Sequence, residues 1–267
     1  MHPLFHIPFF DITIPAYGLM LSISSIIGYL YARFQLGKHT NLKEYHVDII
    51  ILSVIVGSIF GARIFYFLFQ TETPLRYLFS HTVVSRSSGL TFYGGFIAGL
   101  LLTVIWMKVY KLNFLVVADI FVIPLSLGLG LTRIGCFLAG CCWGKPTQLP
   151  WAVTFTNQNA LTTSKYIPLH PVQLYHSLTN LAIFLILLIF SMLDRDKRPG
   201  KIFIAFLLIY PPIRFILEFF RADEQRGFVM GLLSTSQFVS IFVFITGIVL
   251  ARWFVLKYTI NTNSDFR

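Results

Sequence analysis

Charge is what this sequence has least of. Asp, Glu, Lys and Arg together make up 12% of its 267 residues, and only 11 residues are acidic. Soluble domains carry about 25% charged residues, so a solvated globular domain is excluded. Cysteine is scarce too: there are three, and no CxxC pair occurs. That leaves neither a zinc-ribbon framework nor a disulfide scaffold. No unit repeats at a period of about 20–50 residues, which excludes solenoids and propellers. The first residues, MHPLFHIPFFDITIP, lack a basic region and a small-residue cleavage site, so no cleavable signal peptide is expected.

What is present is apolar length. Hydrophobic residues make up 56%, with 28 Phe, and the mean hydropathy is +0.74. Seven apolar spans run over roughly 17–36, 48–69, 91–110, 116–139, 174–193, 202–220 and 230–255. Each can cross a hydrocarbon core about 30 Å thick as a helix. Runs this long exclude barrel strands, and a single segment in lipid must then pair its backbone groups within itself. The expected fold is an all-α integral membrane protein with about seven transmembrane helices. Residues 1–267 form a single polytopic domain, with short outer-side segments at 70–90 and 143–170.

The net charge of +10 reads as cytoplasmic-loop bias, and no nucleic-acid partner is expected. With the N-terminus outside, twelve Lys and Arg fall in cytoplasmic segments and six in outer ones. DRDKRPGK between the fifth and sixth spans is the strongest inside marker. The C-terminus is then cytoplasmic. Three of the 21 basic residues remain, Arg63, Arg133 and Arg214, at or within the outer ends of their spans. An arginine at bilayer depth costs at least about 2.5–3.5 kcal/mol, so such residues tend to serve function. Three at similar depth describe an anion site reached from outside.

Several motifs adjoin these arginines. RFILEFFR sets Arg214, Glu218 and Arg221 on one helix face. It reads either as an internal ion pair that eases insertion, or as a guanidinium that Glu218 orients toward a phosphate. HPVQLYH opens the fifth span, with Pro171 suited to a first turn and His170 beside it. Gln173 and His176 add polarity on the next turn. GLTFYGGFIAG and GSIFGARIFY supply Gly94, Gly95, Gly99, Gly57 and Gly61, a spacing that lets membrane helices approach closely. Tyr17, in IPAYGLM, reads as an interfacial tyrosine or a site residue.

TRIGCFLAGCCWGKPT holds all three cysteines. On a continuous helix Cys141 and Cys142 point about 140° and 240° away from Cys136, so no common face and no metal site is expected. A Cys136–Cys141 bridge remains open if the helix breaks at Gly140. The favoured reading is small apolar filler in a glycine-rich turn, with Gly140 and Gly144 letting the backbone approach a ligand.

Taken in order, AYGLM, GARIFYFLF, GLTFYGGFIAG, GLTRIGCFLAGCCWG, HPVQLYH and RFILEFFR resemble the bacterial prolipoprotein diacylglyceryl transferases from about Tyr17 to Arg226. The resemblance implies a multi-pass enzyme of the bacterial cytoplasmic (inner) membrane. It would move a diacylglyceryl group from phosphatidylglycerol to the lipobox cysteine thiol in a prolipoprotein signal peptide, releasing glycerol phosphate. Membrane lipids and prolipoproteins are the implied partners, and no cofactor or metal is implied. The family's essential arginines fall on Arg133 and Arg214, its motif tyrosine on Tyr17 and its HPSQLYE histidine on His170. Glu218 and Arg221 match the same arginine motif. Arg63, Gly94, Gly95, Cys136 and Gly144 join Tyr17, Glu218 and Arg221 as expected substrate-binding residues. Arg133, Arg214, Tyr93 and His170 are the expected catalytic set.

The chain departs from the family at telling positions. SFHGG reads TFYGG, which puts Tyr93 in place of a histidine; GNFINGELWG reads GCFLAGCCWG, with Cys136 for asparagine and Cys141 for glutamate; and His176 replaces the glutamate of HPSQLYE. The attacking species must be a thiolate. Tyr93, His170, His176 or the field of the arginines could supply the deprotonation. Two other readings stay open: a related membrane lipid transferase with another acceptor or its own cysteine nucleophile, and a non-enzymatic lipid-binding or thiol-redox membrane protein.

Overall fold

Apolar runs of this length fold into helices that close their own backbone hydrogen bonds. The computed structural model describes residues 4–7, 12–39, 42–70, 92–194, 196, 198–222, 228–229 and 233–264. Its helices are α1 (Ala16–His39), α2 (Glu44–Gln70), α3 (Phe92–Val109), α4 (Phe114–Ala139), α5 (Val172–Leu193), α6 (Lys201–Leu217) and α7 (Thr235–Ser264). Six are long and apolar enough to cross a membrane, and α3 is a shorter apolar helix. The protein is therefore an all-α multi-span membrane protein. Each expected span has its helix, with ends shifted by a few residues. The expected outer segment at 70–90 lies outside the described residues beyond Gln70.

Short two-stranded pairings flank the helices. β1 (Leu4–Ile7) pairs antiparallel with β2 (Ile12–Pro15), and β3 (Val153–Thr154) with β4 (Pro168–Leu169), in register Val153 to Leu169. β5 (Phe228–Val229) pairs with β6 (Leu233–Ser234) before α7. Between α4 and α5, Phe155, Ala160 and Leu169 form a small apolar core with Phe137 and Trp143 against it.

The chain divides into two units, residues 29–117 and residues 1–28 with 118–267. In the first, α2 packs on α3 through glycines. A Cβ on Gly61 would lie 2.7 Å from the Gly94 carbonyl oxygen, and one on Gly95 would lie 3.0 Å from that of Ser58. Close backbone approach is the reason for glycine at these positions. The same unit holds Arg33 against Glu44 (3.0 Å) and Asp48 (2.8 Å).

In the second unit, helix ends are secured by side chains. Asp119 accepts hydrogen bonds from the Gly200 and Phe203 amides (2.5 and 2.7 Å), satisfying donors at the start of α6 that no helical carbonyl reaches. Ser234 and Gln237 exchange hydrogen bonds (3.0 and 3.2 Å) as a capping box at the start of α7. Lys201 pairs with Asp194 at 2.5 Å across the short connection from α5 to α6.

Candidate active site

The site is built where α4 ends. Its last turn closes as a Schellman motif: the Gly140 amide donates to the Phe137 carbonyl (3.2 Å) and the Cys141 amide to that of Cys136 (3.1 Å). Gly140 takes the left-handed conformation the motif needs, at φ +75°. Cys142 follows at φ +57°, a second left-handed residue. The chain therefore folds back instead of continuing as a helix. The expectation that the three cysteines share no face rested on helical continuation and is corrected here: their sulfurs all lie within 4.8 Å of one another. All three are free thiols, so the Cys136–Cys141 bridge is not formed. Beyond the helix end, the Cys142 thiol is held below its ordinary range. The neighbouring thiols of Cys136 and Cys141 contribute most, and the charges of Arg133 and Arg221 add to them.

After Cys142 the chain runs extended between two neighbours. The Lys145 amide donates to the Phe220 carbonyl (2.8 Å), the Ala222 amide to that of Trp143 (3.1 Å), and the His170 amide to that of Lys145 (2.9 Å). Gly144 bridges antiparallel to Arg221. A Cβ on Gly144 would fall 2.7 Å from the Cβ of His170, so only glycine lets the segments close. Three separate motifs, GCFLAGCCWG, HPVQLYH and RFILEFFR, are joined by these hydrogen bonds.

The arginines gather around the junction. Arg214, 9% exposed, pairs with Glu218 and donates to the Ser236 hydroxyl at 2.8 Å. Helix α6 stops at Leu217, and a 3-10 turn over Glu218–Phe220 delivers Arg221 back to Glu218 at 3.5 Å. Glu218 is 1% exposed and thus serves two buried guanidiniums. The ion-pair reading of RFILEFFR is therefore observed, and the same carboxylate holds the Arg214 and Arg221 guanidiniums in place. Arg133 is half-buried on α4, one turn before Cys136, and makes no hydrogen bond or ion pair among the described residues. His176 lies within electrostatic reach of Arg133, Arg214 and Arg221. Among the described residues Glu218 is the one carboxylate paired with these guanidiniums, holding Arg214 and Arg221 but not Arg133, and in a low-dielectric site such a cluster of cations favours an anion.

Helix α5 adds a buried polar face. Gln173, His176 and Asn180 are all under 5% exposed, and the Gln173 Oε1, His176 Nε2 and Asn180 Oδ1 atoms have no hydrogen-bond partner among the described residues. Gln173 donates to the Cys141 carbonyl at 2.7 Å, which ties α5 to the cysteine turn. Tyr17 enters from α1. Its Cα lies 2.9 Å from where a Cβ on Gly135 would sit, and its phenol is in electrostatic reach of Arg133 and Cys136.

His170 is held differently. Its Nδ1 is 3.2 Å from the Tyr175 hydroxyl, which also accepts from Trp151 (2.8 Å), and its ring lies against Phe220 at 5.3 Å. The histidine among the arginines is His176, whose position three residues after Gln173 and four before Asn180 in an apolar span is the signal in the sequence. Arg63, Gly94 and Gly95 belong to the other unit, where the glycines serve helix packing and Arg63 is half-buried on α2. The Tyr93 side chain lies outside the described residues.

Residues 3–253 match the model of a family described as prolipoprotein diacylglyceryl transferase. A phosphatidylglycerol–prolipoprotein diacylglyceryl transferase of Clostridium tetani is 34% identical over 242 residues, covering 90% of this chain and 92% of the relative. One from Finegoldia magna is 33% identical, covering 90% and 91%. A third, from Clostridium perfringens and numbered 2 in its name, is 35% identical over the same shares. The chain belongs to the prolipoprotein diacylglyceryl transferase family.

Proposed function

From that membership we infer that the protein is a membrane transferase which moves the diacylglyceryl group of phosphatidylglycerol onto a prolipoprotein. The acceptor is the thiol of the lipobox cysteine, and glycerol phosphate leaves. The observation that carries the reading is Arg133, a half-buried guanidinium with no hydrogen bond or ion pair among the described residues, grouped with the Glu218-held pair Arg214 and Arg221.

The chemistry follows from that charge pattern. The peptide thiolate attacks the glyceryl carbon, the carbon–oxygen bond breaks, and the electron pair stays on the phosphate oxygen. Arg133 and Arg214 are the phosphate clamp, with Arg221 and Tyr17 beside them. Charge grows on the departing oxygen, so prepositioned guanidiniums stabilise the transition state more than the bound lipid. Glu218 fixes the Arg214 and Arg221 forks and leaves Arg133 uncompensated. An apolar groove of about 340 Å³ between α6 and α7, lined by Pro211, Phe215 and Phe244, starts one turn from Arg214 and suits an acyl chain. The site opens to the outer side of the bacterial cytoplasmic membrane, where lipoprotein precursors arrive, as the bias of basic residues supports.

Complementation tests this in cells. A strain depleted of its own transferase should process lipoproteins when given the wild-type chain and should fail with Arg214→Ala expressed at equal level. Normal processing by the Arg214→Ala chain would sink the reading.

A further inference from the structure

We propose that Cys136, Cys141 and Cys142 form a three-thiolate site for one thiophilic d10 cation of the zinc class, whose fourth position takes the acceptor cysteine thiol. The second half of this proposal rests on the transferase reading above; the metal site itself does not.

The geometry comes from the end of α4. A Schellman motif places the residue after the left-handed glycine beside the residue five before it, so Cys141 returns over Cys136. The left-handed turn at Cys142 brings the third sulfur into the same space, and all three lie within 4.8 Å. Around a tetrahedral zinc with bonds of about 2.3 Å, sulfurs sit about 3.8 Å apart. Closing the cluster onto an ion therefore asks the sulfurs to approach by no more than about 1 Å. The turn is fixed from outside: Gln173 holds the Cys141 carbonyl at 2.7 Å, and the Leu161 amide donates to the Ala139 carbonyl at 3.0 Å.

Charge complements the geometry. Three thiolates and a divalent cation carry a net charge of −1, and two cations flank the turn: Arg133 one turn before Cys136, and Arg221, whose backbone bridges to Gly144. No fourth His, Cys, Asp or Glu completes the group among the described residues. Three protein ligands with an open fourth position are the pattern of a catalytic zinc, whereas structural sites are closed by four.

The open position meets a chemical need. A thiol bound to such a cation is deprotonated outright. The acceptor cysteine would give its proton to water on binding, attack the glyceryl carbon as a thiolate, and leave as a neutral thioether. The carbon–oxygen bond breaks, and glycerol phosphate departs with the electron pair beside Arg133. No oxidant or reductant is needed. Cys136 and Cys141 stand where the family carries asparagine and glutamate, so the metal would take the place of side chains this chain does not have.

The test is titration of the purified full-length protein in detergent with Co²⁺ and then Zn²⁺. The expected result is one Co²⁺ per chain, thiolate-to-metal charge-transfer absorption, and displacement by Zn²⁺. A lipobox peptide should add a fourth sulfur to the Co²⁺ spectrum, and the same peptide with serine for cysteine should not. Cys136→Ser and Cys141→Ser should each weaken binding by at least about 100-fold. Cys136→Asn with Cys141→Glu, which restores the family's residues, should abolish it in a folded chain. Absence of stoichiometric binding, binding that survives these substitutions, or a disulfide between two of the cysteines in freshly isolated membranes would overturn the site. Thioether formation at full rate by rigorously metal-free protein overturns the second half, the binding of the acceptor thiol for reaction, and leaves the transferase standing. A metal-loaded protein that binds the peptide thiol yet forms no thioether upholds the site and sinks the transferase reading.

Discussion

At the scale of single residues, the arginines divide by how they are held. Arg214 and Arg221 are buried and share Glu218, whereas Arg133 is half-buried with no such partner among the described residues. Removing a preorganised donor of developing charge costs on the order of 10²–10³ in rate. Arg133→Ala should therefore lower turnover by that amount with little change in thermal stability, measured by thioether formation and by melting in detergent. Arg133→Lys should recover little, because an ammonium cannot reproduce the two-pronged contact. Glu218→Gln differs in kind. It removes the carboxylate that both buried guanidiniums contact, and breaking a buried pair in this way costs about 3–5 kcal/mol. A clearly lowered melting temperature should accompany its loss of activity; an unchanged one would mean the carboxylate does not anchor the pair. The arginines were legible in the sequence because charge at bilayer depth is costly. Sharing of Glu218 between Arg214 and Arg221 was legible from their spacing, although α6 ends at Leu217 and the second contact is made through a 3-10 turn.

Elements place these residues, and here the sequence misleads at one point. The breaking role of Gly140 is readable, since glycine after an apolar helix signals its end. The consequence for Cys142 is not, because a non-glycine residue at φ +57° has no local signature. Helical projection therefore scattered three sulfurs that the turn brings together. The extended segment after Cys142 is equally silent in sequence, because its partners at 168–170 and 220–222 are distant along the chain. Gly144→Val tests that segment. Its side chain would collide with His170, and a shift of about 1 Å at the junction can cost on the order of 10² in rate. The expected outcome is a folded membrane protein with turnover reduced about that much, read in the same thioether assay. Asp119→Ala probes an element far from the chemistry. It strips the Gly200 and Phe203 amides of their acceptor, at a cost of about 1–3 kcal/mol. Melting should fall while the folded fraction keeps its turnover.

Across the whole molecule, apolar length alone was enough to place the seven α-helices among the described residues, since each span leaves a long run with few charges. Orientation rests on the distribution of basic residues, and it has a direct check. Reporter fusions after Leu193, beside Lys201 and Asp194, should be active only in the cytoplasm, as should fusions beyond α7. Activity on the outer side would reverse the topology and turn the arginine site to the wrong face for lipoprotein precursors.

The most direct measurement is made in liposomes. Phosphatidylglycerol and a lipobox peptide are incubated with the purified protein or its Arg133→Ala variant, and the peptide is weighed by mass spectrometry. The expected product is a peptide heavier by one diacylglyceryl group, linked at its cysteine sulfur, with glycerol phosphate released in equal amount and the rate down at least about 100-fold in the variant. An unmodified peptide, or product formed equally fast by both proteins, would contradict it.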